Sequence, residues 1–272
     1  MTKRKATDII RHCFKRLYKH GAEIKKGYAE EAIHQFRVDY KKLRAFLRMV
    51  MLKMAEPRDL MIPHPLKKMY ATSGEVRDRQ LCIKRIKADR QAGGTVQGKT
   101  RQLKGEIKQL SAKEDFLSKK EFDGIETNMI RNLPAVLPIE LIKDFVGQKL
   151  TAINGIIDQN KYGDKDLHDI RKGFKDIILV AAIAKDFKEN AAVPSWTKDN
   201  LKKADAMAHE LGSFNDAGIA LAFLLPRDIK KAGIEEGKHL WAIRRRWLAE
   251  KRKLKKEILA HLREIRMVFA FE

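Results

Sequence analysis

The chain has 272 residues, with 58 Lys and Arg against 36 Asp and Glu, a formal net charge of +22 and a pI near 9.9. Its 44% hydrophobic content is ample for a packed core, which excludes disorder through lack of apolar residues, and the length suits one large domain or two smaller ones. A cationic excess of this size draws polyanions, whether nucleic acid, anionic lipid, acidic protein or polyphosphate, and does not by itself choose among them.

Helical spacing runs through the chain from its start. Ile9, Ile10, Cys13, Phe14 and Leu17 recur at i, i+3, i+4 and i+7 and predict a helix over residues 4–20, with Arg4, Arg11 and Lys15 aligned along its polar side. No apolar run follows the basic start Met1-Thr2-Lys3-Arg4-Lys5, so no secretory signal is expected. The two cysteines, Cys13 and Cys82, sit singly in apolar helical patterns, which points to a reducing compartment and not to a disulfide framework.

The second predicted helix, over 30–55, carries the clearest pattern. At 100° per residue His34, Arg37, Lys41, Arg44 and Arg48 fall in a stripe roughly 80° wide, while Phe36, Tyr40, Leu43, Phe46, Leu47 and Val50 take the opposite side. Like charges three and four residues apart cost roughly 0.2–0.5 kcal/mol per pair. The only acid between Ile33 and Ala55 is Asp39, which lies off the stripe. An uncompensated row of guanidinium and ammonium groups suits an anionic chain, since Arg offers a planar fork of donors and Lys a mobile point charge.

Further helices are predicted over 64–90, 97–121, 139–160, 164–188, 197–224 and 237–268, with prolines at 57, 63, 65, 134, 138, 194 and 226 falling where helices should begin or end. Gln91 to Lys99 is read as a flexible connection, and a second break lies at Asn132 to Pro138; the chain is read as lacking a Gly-rich phosphate-binding loop. No strand is expected. The longest apolar run, Ile177 to Ala184, is far short of the roughly 20 residues that span a bilayer, so membrane insertion is not expected and the protein reads as soluble and cytoplasmic.

The two halves, about 1–132 and 133–272, resemble each other. His34-Gln35-Phe36-Arg37 recurs as His168-Asp169-Ile170-Arg171, and Lys41 then maps to Lys175. Ser73-Gly74-Glu75-Val76-Arg77-Asp78 aligns with Leu211-Gly212-Ser213-Phe214-Asn215-Asp216 at nearly the same offset. Two paired motifs argue for an internal duplication within a single all-helical domain. The second stripe, His168, Arg171, Lys172 and Lys175, is shorter, because Ile178, Leu179 and Ala182 follow it. Arg77 has Asn215 as its counterpart, so a phosphate role for it would belong to the first half alone. Asp78 and Asp216 are read as helix-stabilising or interhelical contacts, with orientation of a neighbouring Arg or His by Asp78 as the other reading. The last helix adds a third row, Lys238, Arg245, Arg252, Lys256 and Arg263, beside a seam of Trp241, Leu248, Leu259 and Leu262. Several convergent rows would form a positive groove or pore that focuses the field on a linear polyanion. His34 and His168 read as auxiliary phosphate ligands. The remaining histidines show no metal-ligand spacing, so neither a metal nor a cofactor is expected.

The stretch His34-Gln35-Phe36-Arg37-Val38-Asp39-Tyr40-Lys41-Lys42-Leu43-Arg44 closely resembles the signature of CHAD domains, the conserved-histidine α-helical domains. Gly74-Glu75-Val76-Arg77-Asp78, Leu167-His168-Asp169-Ile170-Arg171-Lys172 and Leu211-Gly212-Ser213-Phe214-Asn215-Asp216 resemble that family's other motifs. The resemblance implies two antiparallel four-helix bundles related by a pseudo-twofold axis, with a basic central groove or pore that binds inorganic polyphosphate. It also implies association with polyphosphate granules. Carried onto the matching positions, it makes His34, Arg37, Lys41, Lys42, Arg44, His168, Arg171, Lys172 and Lys175 phosphate-binding. Asp176 and Ile178 stand where basic residues are usual in the second motif.

The expectation is therefore a non-enzymatic binder of inorganic polyphosphate or another linear polyanion. No clustered acids for metal-assisted hydrolysis and no Ser or Cys nucleophile arrangement stand out. Nucleic acid is the alternative partner, but aromatic residues are only 7%, and most fall on core-facing positions where they offer no stacking platform.

Overall fold

The computed structural model describes residues 1–54, 57–89, 96–138, 140–186 and 198–268. They form ten α-helices: α1 (Lys3–Lys25), α2 (Glu30–Met51), α3 (His64–Ala88), α4 (Gln97–Ala112), α5 (Lys119–Arg131), α6 (Leu141–Ile157), α7 (Asp164–Asp186), α8 (Lys198–Ala222), α9 (Pro226–Ile229) and α10 (Ile234–Val268). A 3-10 turn at Pro57–Leu60 joins α2 to α3. No strand occurs among the described residues beyond an isolated antiparallel bridge between Thr2 and Val136. That bridge lies in the break predicted at Asn132 to Pro138, where Leu133 and Leu137 are buried.

One predicted helix is corrected. Residues 97–121 are not one helix: α4 ends at Ala112, and α5 begins after Ser118. The new start is a capping box, in which the Ser118 hydroxyl accepts from the Glu121 amide and the Glu121 carboxylate accepts from the Ser118 amide at 2.7 Å. Such a Ser-x-x-Glu signature is legible in sequence. The apolar period either side of it runs on closely enough to hide the interruption. Of the predicted flexible connection, Gln91 to Thr95 lie outside the described residues, and Gln97 to Lys99 belong to α4.

Neighbours pack in the same order in both halves. In the first, α1 lies on α2, α2 on α3 and α3 on α4; in the second, α6 lies on α7, α7 on α8 and α8 on α10. The halves are joined by α2 against α7 and α3 against α8. The unbroken 35-residue α10 reaches both α8 and α6, whereas in the first half α4 covers α3 and α5 covers α1.

Two apolar clusters result. The larger draws on both halves, with Phe14, Phe36, Phe46, Phe122, Phe145 and Phe174 among its members. The smaller gathers Cys82, Ile86, Leu103, Leu221, Leu224, Leu240, Ile243 and Trp247 at the C-terminal ends of α3 and α8. No helix of the described residues is long and apolar enough to cross a membrane.

A candidate anion-binding site at the crossing of α2, α3, α7 and α8

On α2 the predicted apolar side is buried in full: Phe36, Tyr40, Leu43, Phe46, Leu47 and Val50. Ala45 and Met49 are buried as well, because α2 packs on α1, α3, α6 and α7 at once. The basic stripe is thus confined to a strip between two buried flanks. It is held there by specific contacts.

Arg37 Nη1 donates to the Tyr70 carbonyl at 2.6 Å, and its guanidinium carbon lies 4.3 Å from the centre of the Tyr70 ring. Tyr70 stacks on Tyr40 with ring centres 4.0 Å apart, and Arg44 lies 5.9 and 5.7 Å from the Tyr40 and Tyr70 rings. Cation–π contacts of this kind fix guanidinium planes without neutralising them. The approach of Arg37 to α3 requires a glycine, since a Cβ on Gly74 would sit 2.5 Å from Arg37 Nη1. In the second half a Cβ on Gly212 would come to 3.4 Å from Arg171 Nε. The glycine of the second motif is therefore the seat of the arginine of the first, once in each half. Sequence reasoning missed this role, although the paired recurrence of Gly74 and Gly212 was its signal.

Lys41 marks where the two stripes meet. Burial first, then Arg37, Arg171, Arg44 and Lys175, push its ammonium down from the ordinary lysine value to about 8. Two of those cations come from α2 and two from α7. Among the described residues Lys41 itself has no hydrogen bond or ion pair, and the buried Nε groups of Arg44 and Arg171 have no acceptor. Buried donors are normally satisfied. Here three cationic side chains share one place with nothing opposing them directly.

Acids stand nearby without neutralising them. Burial raises the Asp78 carboxyl above the usual range, Arg37 opposes that rise, and Asp216 reinforces it. Among the described residues Asp78 makes no hydrogen bond, so it does not orient Arg37 or a histidine directly; it belongs to the α3–α8 contact. His168 Nδ1 lies 3.1 Å from Asn215 Oδ1, and its pKa is lowered by burial first and then by Lys172. His34 is exposed at the head of the α2 stripe.

The remaining predicted ligands divide into two groups. Some are tied to acids. Arg48 Nη1 is 3.0 Å from the buried Asp176, which also meets Lys149 at 3.1 Å. Arg77 pairs with Glu30 at 3.3 Å, Lys42 with Asp186 at 3.8 Å, Lys172 with Asp169 at 2.8 Å and Lys175 with Asp205 at 3.0 Å. Asp176, the acid standing where a base was expected, thus serves as a counter-ion that pins α2 to α7. Others lie on outer faces: Arg4, Arg11 and Lys15 on α1, and Arg245, Arg252 and Lys256 on α10, are all exposed. The buried residues of α10 are Leu240, Ile243, Trp247, Ile258 and Leu262, while Trp241, Leu248 and Leu259 are only partly covered. The seam is therefore rotated from its predicted position, and the basic row is turned away from it. These outer rows do not converge with the α2 and α7 stripes at Lys41.

The reading that the chain lacks a Gly-rich phosphate-loop pattern is corrected. Gly93-Gly94-Thr95-Val96-Gln97-Gly98-Lys99-Thr100 has the G-x-x-x-x-G-K-[ST] spacing of a phosphate-binding loop. The context required for that function is a strand before the loop, and here the preceding element is α3. The amide of Lys99 at the start of α4 already donates to the Glu236 carboxylate at 2.8 Å, and the Lys99 ammonium to Gln102 at 3.1 Å. Gly98 lies against that same Glu236 side chain. Gly98 and Lys99 of the motif are a docking point for α10.

Taken together, these features describe an all-helical domain with an uncompensated cationic centre. The family model for the CHAD domain matches residues 8–225, so the chain belongs to the CHAD domain family. The crystal structure of the CHAD domain from the plant Ricinus communis is similar in fold, with a TM-score of 0.68 at 15% identity over 97% of this chain and 92% of that one. A search of curated proteins finds no significant relative.

Proposed function

We propose that this protein binds inorganic polyphosphate without making or breaking a bond, at the place where α2 and α7 bring Arg37, Lys41, Arg44 and Arg171 together. One observation carries the reading. Among the described residues Lys41 has no acid partner and lies beside four cations, of which Lys175 is held by Asp205, and the buried Nε groups of Arg44 and Arg171 lack acceptors. Phosphate oxygens would supply acceptors and charge at once, and Arg meets them with two parallel donors. His34 and His168 flank the centre as auxiliary donors, and binding of an anion beside His168 would favour its doubly donating form.

The aromatic geometry favours a phosphate polymer over a nucleic acid. Tyr40 and Tyr70 are stacked on each other and covered by Arg37 and Arg44, so neither ring is left as a platform for a base. In a cell, binding of this kind would place the protein on polyphosphate granules. Family membership supports the reading, as does the order of packing, which places the paired motifs of the two halves against each other.

Competition between polyphosphate, duplex DNA and single-stranded RNA at one salt concentration tests it. Polyphosphate is expected to win, and victory for DNA or RNA overturns the reading. Incubation with divalent metal and polyphosphate is expected to release no phosphate; steady release would mean an enzyme.

A further inference from the structure

The outer face of α10 has a feature the central site does not explain. Cations on its flanks are matched: Arg246 with Asp89 at 2.6 Å, Lys255 with Asp164 at 3.6 Å, Lys238 with Glu235 at 2.7 Å and Lys253 with Glu257 at 3.8 Å. Lys251 also pairs with Asp164. Arg245, Arg252 and Lys256 are exposed and make no ion pair or hydrogen bond among the described residues. At 100° per residue they lie about 150° around the helix from the seam of Leu240, Ile243, Trp247, Ile258 and Leu262. Arg263 continues the unpaired row to about 27 Å at the helical rise, and Lys238, already held by Glu235, lies in line with it at the other end. Between them stand Ala242, Ala249 and Ala260, small residues that leave the row unobstructed, and no acid falls on it.

The row lies on the side of α10 away from the buried seam by which that helix packs on α8 and α6, whereas Lys41 lies where α2 meets α7. A polymer held at the centre leaves the outer row empty. Exposed charges further apart than about 10 Å are largely screened from one another at ordinary salt, so the two sites would fill independently.

We infer that the outer face of α10 is a second polyphosphate surface, and that one molecule therefore holds two separate stretches of polymer and bridges long chains. The inference rests on the proposed central site. Its elements are complementary charge, length and direction: a straight row of unpaired cations meets a linear anion side-on.

The test titrates a phosphate oligomer too short to reach both faces into the wild type, into the variant Arg245→Ala, Arg252→Ala, Lys256→Ala, and into Arg171→Ala. Far-UV circular dichroism checks that each is folded. The wild type is expected to take up two oligomers per molecule. The α10 variant should take up one, and Arg171→Ala should weaken the tighter class several-fold while sparing the weaker. Long-chain polyphosphate should make the wild type scatter light by cross-linking, with the α10 variant at least tenfold less active. Two oligomers retained by the α10 variant, or undiminished scattering, overturns the inference. A single oligomer on the wild type, weakened by Arg171→Ala, also overturns it while leaving the central site intact. No binding to the wild type overturns the central reading itself. If the α10 variant loses only duplex DNA, the outer partner is a nucleic acid and the inference as stated fails.

Discussion

If Lys41 binds phosphate as proposed, it ties binding and stability to pH in opposite directions. Its folded value is about 8, below that of a lysine in an unfolded chain, so between the two the unfolded state holds more protons. The contribution of this residue to stability therefore rises as pH increases from about 8 towards 10. Phosphate oxygens beside Lys41 favour its ammonium, so binding takes up a proton and affinity falls over the same range. Calorimetry in buffers of different ionisation enthalpy should show the uptake above pH 8, and its absence would remove Lys41 from the site. Lys41→Met should raise the stability of the unliganded protein at pH 7, by on the order of 1–3 kcal/mol, while weakening binding several-fold. The neighbouring glycine makes a related point. An interior helical glycine costs about 1 kcal/mol relative to alanine, yet Gly74 gives Arg37 its place against Tyr70. Gly74→Ala should leave the melting temperature nearly unchanged and weaken polyphosphate binding, because the obstructed atom is the far end of a flexible side chain. Gly212→Ala should do so less, since its Cβ meets Arg171 at an ordinary distance.

Among the elements, α2 and α7 are held by an acid that stands where the family resemblance leads one to expect a base. Asp176 is 4% exposed and receives Arg48 and Lys149. Its partners are partly solvated, so Asp176→Asn should cost about 1–3 kcal/mol in denaturant unfolding, less than a fully buried pair would. A cost near zero would mean that apolar packing alone sets the α2–α7 contact. The basic stripe of α2 was legible because every residue type on it is unambiguous and its period is strict. What it touches was not legible, since Tyr70, Gly74 and Asp176 reach it from elements that only tertiary packing brings near. The break between α4 and α5 could have been read from Ser118 and Glu121. The outward direction of the rows on α1 and α10 could not, because a helix with a basic side and an apolar side does not say what lies beyond the basic one. Ser118→Ala should cost about 1 kcal/mol and loosen α5 first, visible as faster amide exchange over Lys119–Arg131.

At the scale of the whole molecule the sequence halves are not separate folding units. The larger apolar cluster runs through α1, α2, α5, α6, α7 and α10, and the contacts of α2 with α7 and α3 with α8 cross the midpoint. Thermal unfolding should be a single transition, and polypeptides of residues 1–132 or 133–272 alone should lack cooperative melting. Two resolved transitions in the intact chain would contradict that coupling. The duplication was visible in sequence as two short motifs; their mutual burial was not, because repeats tell how often a unit occurs and not which faces join. The uncompensated charge at Lys41 has a last consequence, for how long the protein survives. On the proposed reading, an anion settling beside Lys41, Arg37, Arg44 and Arg171 stabilises the closed crossing by mass action. Digestion by a protease that cleaves opened chains should slow on addition of polyphosphate, more than for Arg37→Ala. In a cell the polymer would thus govern the protein's abundance as well as its location, sparing molecules that have found it and leaving the rest to turnover.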